Sequence, residues 1–489
     1  MQQPTSSSSS PSRPLPDGST NNRTNNNNNN NNTGRPNSVI WAQLSKSSLE
    51  KGQNQSRIRS GLEQSKTTTS IVDDTSDTES LENSLFYPKG RKDSRSVSRR
   101  ERIKKIMCNP TITESIPLAP RVLSNGTHEF DPTIIVLSLD GFRADYLERE
   151  LTPNTLSIGT NGVWAEYMQP SFPTLTFPNH HTLVTGLYPS VHGIVGNMFY
   201  DSNFGEDFNN RFPAKSWDPK WWGGEPIWTT AVKQNQRSGV IMWPGGEVLS
   251  AVRPTYHVPY KTGTVLEKMD TVLNWIDKPR EERPTVMAVY VPDIDSTSHD
   301  FGPDGKKNQK ALVEVDTALG VLLEGLQARN LDKVVNLVVV SDHGMSYVNT
   351  SKCIYYDDFI DTSDLLFEES LYPHLAIWPK DSKKLNDIYH TIKRAQRRDT
   401  LPFQVYRRFV MTRRDMGVVM AGVHGWDNEN EEMRAIFLAR GPSFPNLGSK
   451  KLQSFENVEV HDIIARTVGL PVKDGATDGV RNGFVSKPC

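Results

Sequence analysis

Thr176 stands just ahead of a stretch, Phe177 to Thr185, that reads as a short helix with Pro178 in its first turn and Gly186 just past its end. A hydroxyl at or beside that N-cap faces free backbone N–H groups and the positive end of the helix dipole, where an alkoxide or a phosphate oxygen is stabilised. Thr at such a position commonly does no more than cap the helix. Here its company says more. Asp140 directly follows the apolar run Thr133–Leu139, Asp293 and Asp295 follow Thr285–Val291, and Asp342 and His343 follow Val334–Val340. A lone Asp after a strand is a turn former or a cap. Carboxylates delivered to one edge by three strands repel one another unless cations sit among them. His299 lies four residues after Asp295, His343 lies beside Asp342, and His424 sits in the Gly-flanked loop AGVHGWDN ahead of AIFLA. Mixed His and Asp donors suit zinc, with manganese and iron as lesser fits. His180, His181 and His192 are weaker candidates, read as packed or hydrogen-bonded near the helix.

These side chains need a scaffold that brings distant positions together. The runs TIIVLSL, TVMAVYV and VVNLVVV are nearly continuous in apolar residues, and Gly239–Met242 and Ala435–Ala439 are read as further, shorter strands. Strands apolar on both faces belong to a parallel sheet covered by helices on each side. Between them lie stripes at helical spacing: Val265, Leu266, Met269, Val272, Leu273 and Ile276; Leu312, Val315, Leu319, Leu322, Leu323 and Leu326; Leu385, Ile388, Tyr389 and Ile392. The alternation predicts an α/β fold with an open, mainly parallel sheet, and ligands in such folds gather beyond the C-terminal ends of the strands.

Residues 1–128 differ in texture from residues 129–489. They hold the Ser6–Ser10 run, the Asn25–Asn32 tract and a Ser/Thr/Asp-rich segment at Ser65–Asp77. Large apolar residues are too sparse there to offset the entropy of ordering, so the stretch is expected to be disordered. It ends in a basic cluster, Arg91, Lys92, Arg95, Arg99, Arg100, Arg102, Lys104 and Lys105, read first as a solvated tail, with a localisation signal or a juxtamembrane segment meeting anionic lipid as the alternatives. The formal net charge of -1 provides no overall basic field for nucleic acid. Cys108, Cys353 and Cys489 are too few for a disulfide scaffold. No run of 18 apolar residues occurs, and MQQPTSSSSS lacks the apolar core of a signal peptide.

The motifs LSLDGFRADYL, FPTLTFPNHHTLVTGLYPSVHGIVGN, GGEPIWTTA, DSTSHDFGP, VVVSDHGM and GVHGWDN followed by MRAIFLARGPSF, in this order, resemble the nucleotide pyrophosphatase/phosphodiesterase family of the alkaline phosphatase superfamily, in its fungal form. The closing DGATDGVRNGF is similar to the family's last catalytic-domain segment. The resemblance implies an alkaline-phosphatase-like α/β/α sandwich over residues 129–489 and two zinc ions. It implies that Asp295, His299 and His424 hold one ion and that Asp140, Thr176, Asp342 and His343 hold the other. Thr176 is then the nucleophile, passing through a threonyl-phosphate, and Asn197, with the backbone N–H of Phe177, faces the phosphate oxygen. Phe177 and Tyr260 are expected to sandwich a base, while Trp221, Trp222, Trp228 and Trp243 build wall or core. Leu175 stands where many relatives have Lys, and Ser298 where they often have Gly, so substrate preference stays open. The expected substrates are nucleotide phosphodiesters and pyrophosphates such as ATP or dinucleotides, with choline-phosphate lipids as the alternative and a silent scaffold as a third reading. Relatives are commonly membrane-anchored and outward-facing, which fits the sequons at Asn125 and Asn349, although this chain shows no span.

Overall fold

The computed structural model describes residues 40–44, 122–261, 263–348, 356–371, 374–398, 403–407 and 420–471. The basic cluster, all three cysteines, Asn349 and the DGATDGVRNGF segment lie outside them. Seven strands form the central sheet: β1 (Thr133–Leu139), β2 (Val163–Trp164), β3 (Ser238–Ile241), β4 (Tyr256–Val258), β5 (Val286–Val291), β6 (Val335–Val340) and β7 (Phe437–Arg440), in the order β4-β3-β5-β1-β6-β7-β2. β4, β3, β5, β1 and β6 are mutually parallel, with Val286 opposite Ile134 and Val335 opposite Thr133. β7 runs antiparallel to β6, pairing Leu337 with Arg440.

Every residue of β1, β5 and β6 is buried, as nearly continuous apolar runs require when helices cover both faces. The longer helices among the described residues are α1 (Pro153–Thr160), α2 (Thr176–Thr185), α3 (Ile227–Lys233), α4 (Val265–Ile276), α5 (Asp293–Phe301), α6 (Lys306–Ala328), α7 (Leu385–Arg398) and α8 (Glu459–Thr467). α6 packs against α1, α4 and α5, and α8 packs against α2, α3 and β1, giving the α/β/α sandwich. α4 opens on a capping box, with Thr264 accepting from Glu267 N–H and Glu267 from Thr264 N–H. Of its expected stripe, Leu266 is exposed, because it lies off the face shared by Val265, Met269, Val272 and Ile276.

Ile40–Leu44 falls within the stretch whose composition predicts disorder. Its residues IWAQL are a local apolar exception, and they pair antiparallel with His374–Pro379 and Phe403–Arg407. Among the described residues no helix is long and apolar enough to cross a membrane.

Candidate functional site

Thr176 is the first residue of α2, and Leu175 occupies the N-cap with no side-chain cap bond. The capping reading therefore does not hold. The Thr176 side chain turns instead toward the loop after β6, where its Oγ1 lies 3.4 Å from His343 Nε2. Gly186 ends the helix in the left-handed region, with φ 68°.

The three acidic strand ends do meet. Asp140 leaves β1, Asp295 sits in the first turn of α5 after β5, and Asp342 and His343 leave β6. His343 Nε2 lies 2.9 Å from Asp342 Oδ2 and 3.5 Å from Asp140 Oδ1. Asp295 Oδ1 is 3.4 Å from His424 Nε2, and its Oδ2 is 3.4 Å from His299 Nε2, one helical turn on along α5. The His343 and His424 rings stack at 3.6 Å and 12°. Donor atoms thus gather in two groups, Asp140–Asp342–His343 and Asp295–His343–His424, with His299 at the margin of the second through Asp295. The expected division, with His343 in the first set and His299 in the second, differs only in which imidazole closes the second group.

Two features fit this cluster to metal ions. Each imidazole commits Nδ1 to a backbone carbonyl: His299 to Gly422 at 2.9 Å, His343 to Gly344 at 2.9 Å and His424 to Thr174 at 2.8 Å. A ring that donates from Nδ1 turns the lone pair of Nε2 toward the centre, the tautomer a metal ligand needs. Asp140 Oδ1, Asp295 Oδ1 and Asp342 Oδ2 are also buried with no aligned hydrogen-bond donor. Such orphaned oxygens are costly unless a cation completes them.

The electrostatics tell the same story. Burial, followed by the charges of Asp295 and Asp342, pushes the Asp140 carboxyl well above its ordinary range. Burial raises Asp295 as well, but the charge and hydrogen bond of His299 outweigh it and bring Asp295 to about 2. His299 is correspondingly held up to about 9 by Asp295 against its own burial. Burial and the neighbouring charge of His343 lower His424 to about 3. Negative charge is therefore concentrated at one sheet edge, and the protons on His299 and Asp140 occupy places that a cation would claim.

Closer supports were not legible in the sequence. Tyr290, read only as part of an apolar strand, donates its hydroxyl to Asp140 Oδ2 at 2.5 Å. A Tyr at the end of a buried strand needs a partner for its hydroxyl, and that was the available signal. Gly141 donates its N–H to Asp342 Oδ1 at 3.2 Å, and a Cβ there would come within 3.0 Å of Asp295 Cα. Only glycine lets β1 end so close to α5.

Phe177 N–H donates to Asn197 Oδ1 at 3.0 Å. That N–H therefore holds Asn197 rather than facing a phosphate, a correction to the expectation, and it leaves the amide Nδ2 of Asn197 as the donor to offer. The Phe177 ring leans on Phe208 and Trp222, with centroids 6.2 and 6.1 Å away. Tyr260 is exposed, 6.5 Å from the Tyr290 ring, and is anchored by its N–H to Glu247 Oε1 at 2.7 Å. Trp221, Trp222, Trp228 and Trp243 are all buried, as wall and core residues should be. His181 binds the Gly223 carbonyl and His192 the Thr182 hydroxyl, so neither joins the metal groups. His180 touches Asp342 from behind, at 3.3 Å.

Residues 134–424, the span that holds every candidate ligand, match the family model described as type I phosphodiesterase / nucleotide pyrophosphatase. The chain is 39% identical over 414 residues to an uncharacterized pyrophosphatase/phosphodiesterase of Schizosaccharomyces pombe, covering 76% of this chain and 83% of that protein. It is 35% identical over 393 residues to bovine ectonucleotide pyrophosphatase/phosphodiesterase family member 3, covering 73% of this chain and 44% of the relative. A venom phosphodiesterase of Macrovipera lebetinus is 35% identical over 389 residues, covering 73% of this chain and 45% of its own. The chain thus spans less than half the length of the bovine and viper proteins. Among solved structures, murine ectonucleotide pyrophosphatase/phosphodiesterase 5, in an inactive threonine-to-alanine form in complex with AMP, superposes with a TM-score of 0.61 at 29% identity, covering 70% of this chain and 96% of that one.

Proposed function

The chain belongs to the type I phosphodiesterase / nucleotide pyrophosphatase family, and on that premise we propose that it hydrolyses nucleotide phosphodiester and pyrophosphate bonds, releasing nucleoside 5′-monophosphates. The observation that carries this reading is the gathering of three orphaned carboxylate oxygens with the Nε2 atoms of His343 and His424, the first of them 3.4 Å from the hydroxyl of Thr176. The AMP carried by the murine relative supports a nucleotide as substrate.

Asp140, Asp342, His343 and Thr176 would hold one divalent ion, and Asp295, His299 and His424 the other, with zinc the best match to the donor set. Bound there, such ions supply Lewis acidity, favouring the deprotonated hydroxyl and neutralising charge on the entering and leaving oxygens. Thr176 Oγ attacks phosphorus in line, forming the Thr–O–P bond as the bond to the leaving phosphate or alcohol breaks. Its position in the first turn of α2 adds the field of the helix N-terminus to the anionic group. Asn197, fixed through Oδ1 by Phe177 N–H, aims Nδ2 at a non-bridging oxygen, worth on the order of 3 kcal/mol for one such donor. Water then cleaves the threonyl-phosphate and returns the hydroxyl. The face of Phe177 and the exposed ring of Tyr260 offer surfaces for a nucleobase, with stacking worth ~1–3 kcal/mol per ring.

Rates on ATP, a dinucleotide polyphosphate and glycerophosphocholine test the substrate class. Turnover of the two nucleotides with release of the monophosphate is expected. Preference for the choline ester would favour the lipid-headgroup alternative.

A further inference from the structure

Resting on the assignment of Thr176 as nucleophile, we propose that His180 is a positioning residue that fixes the nucleophile and Asp342 relative to each other without itself touching substrate or metal. Its ring is fully buried and held edge-on between Trp243 and Tyr290, at 5.1 and 4.9 Å. Nδ1 lies 2.8 Å from the carbonyl oxygen of Thr176 and 3.3 Å from Asp342 Oδ2. Nε2 lies 2.9 Å from the hydroxyl of Ser138, two residues before Asp140 on β1. Both neighbours of Nδ1 are acceptors, so Nδ1 carries the proton and Ser138 donates to Nε2. Trp243 Nε1–H donates to the carbonyl of His180 at 3.1 Å, pinning the backbone as well.

One ring therefore ties three separate pieces of the site together: the first turn of α2, the end of β1 and the loop after β6. Asp342 Oδ2 is one of the orphaned oxygens; the Nδ1–H is committed to the Thr176 carbonyl, and the Nδ1 edge of the ring, 3.3 Å from Oδ2, limits the direction in which that oxygen points. Loss of outer supports that orient ligating groups weakens metal affinity or activity ~10–100-fold. Any buried histidine needs partners for its ring nitrogens; what separates positioning from packing is whether their loss moves zinc affinity and kcat.

The test compares wild type with His180→Phe, which keeps a ring but no nitrogen, His180→Asn, which returns an N–H near Nδ1, and Ser138→Ala. Zinc affinity is read by competition with a chromogenic chelator, and kcat and KM on bis(p-nitrophenyl) phosphate. His180→Phe should lower kcat and zinc affinity ~10–100-fold with KM within about threefold, and His180→Asn should recover most of both. Should His180→Phe not fold, Ser138→Ala decides the matter: a several-fold fall in kcat supports the role and an unchanged kcat overturns it. Wild-type zinc affinity and kcat in His180→Phe overturn the positioning role alone, as does an equal loss in Phe and Asn variants with zinc affinity intact. A wild type that binds no zinc overturns the reading of the site as well.

Discussion

Two sets of buried carboxylates in this molecule behave in opposite ways. Asp316, on α6, accepts from Thr155 N–H and Oγ1 and from Asn154 N–H and Nδ2, at 2.7 to 3.1 Å, joining α6 to the first turn of α1. Asp140 and Asp342 are as deeply buried and Asp295 largely so, yet each keeps a buried oxygen without an aligned donor. Burial alone does not separate scaffold from site; satisfaction does. A buried carboxylate with a full set of donors stabilises the fold, while one left incomplete among its like is destabilising until something positive arrives.

This contrast can be broken most severely at Thr176. Thr176→Ala should lose ~10³-fold or more in kcat while keeping its metal content, since it removes the proposed nucleophile but no carboxylate. Near-full activity, measured beside metal analysis, would place the chemistry elsewhere. Asp140→Asn should abolish metal binding and cut activity at least ~100-fold, yet the chelator-treated variant should melt no lower than chelator-treated wild type, because a strained carboxylate has been removed. Asp316→Ala should do the reverse, costing about 2–3 kcal/mol in urea unfolding with kcat within about twofold. If the two variants exchanged these signatures, the distinction would fail.

Smaller effects come from titration. Asp295 holds His299 up to about 9, so a cation must displace that proton. Metal affinity should therefore climb with pH from about 6.5 to 9, by up to roughly tenfold per unit, in chelator competition. In the metal-free protein the sign is opposite: the His299–Asp295 pair stabilises fully below the unfolded histidine value and its contribution is lost as pH rises through about 9. Away from the site, burial and then Asp462 and Glu456 raise Glu459 to about 7. Its folded value lies above its unfolded one, so stability is greatest below pH ~4.5 and falls until pH ~7. Glu459→Gln should remove that slope and gain on the order of 2 kcal/mol at pH 8 in denaturant titrations.

Much of the sheet was legible because β1, β5 and β6 are nearly continuous in apolar residues, as strands covered on both faces are. The acids were legible because each follows such a run. His424 reaches the same edge for a reason the sequence does not display: β7 is antiparallel, so the loop before it arrives where the parallel strands end. The hydroxyl of Tyr290 was hidden by apolar neighbours, and His180 read only as packed or hydrogen-bonded near the helix because its partners Ser138 and Asp342 lie far away in sequence. The use of Phe177 N–H by Asn197 was equally hidden, since backbone donors leave no trace in residue type. Leu175 at the N-cap shows the same limit: helix punctuation is readable to within a residue, and here that one residue separates a cap from the proposed nucleophile.

The central claim is most directly tested by elemental analysis of the purified, folded wild-type protein. About two divalent transition-metal ions per chain are expected, clustered as in paired-metal phosphoryl-transfer sites. A folded protein that turns over phosphodiesters with no bound ion would contradict it.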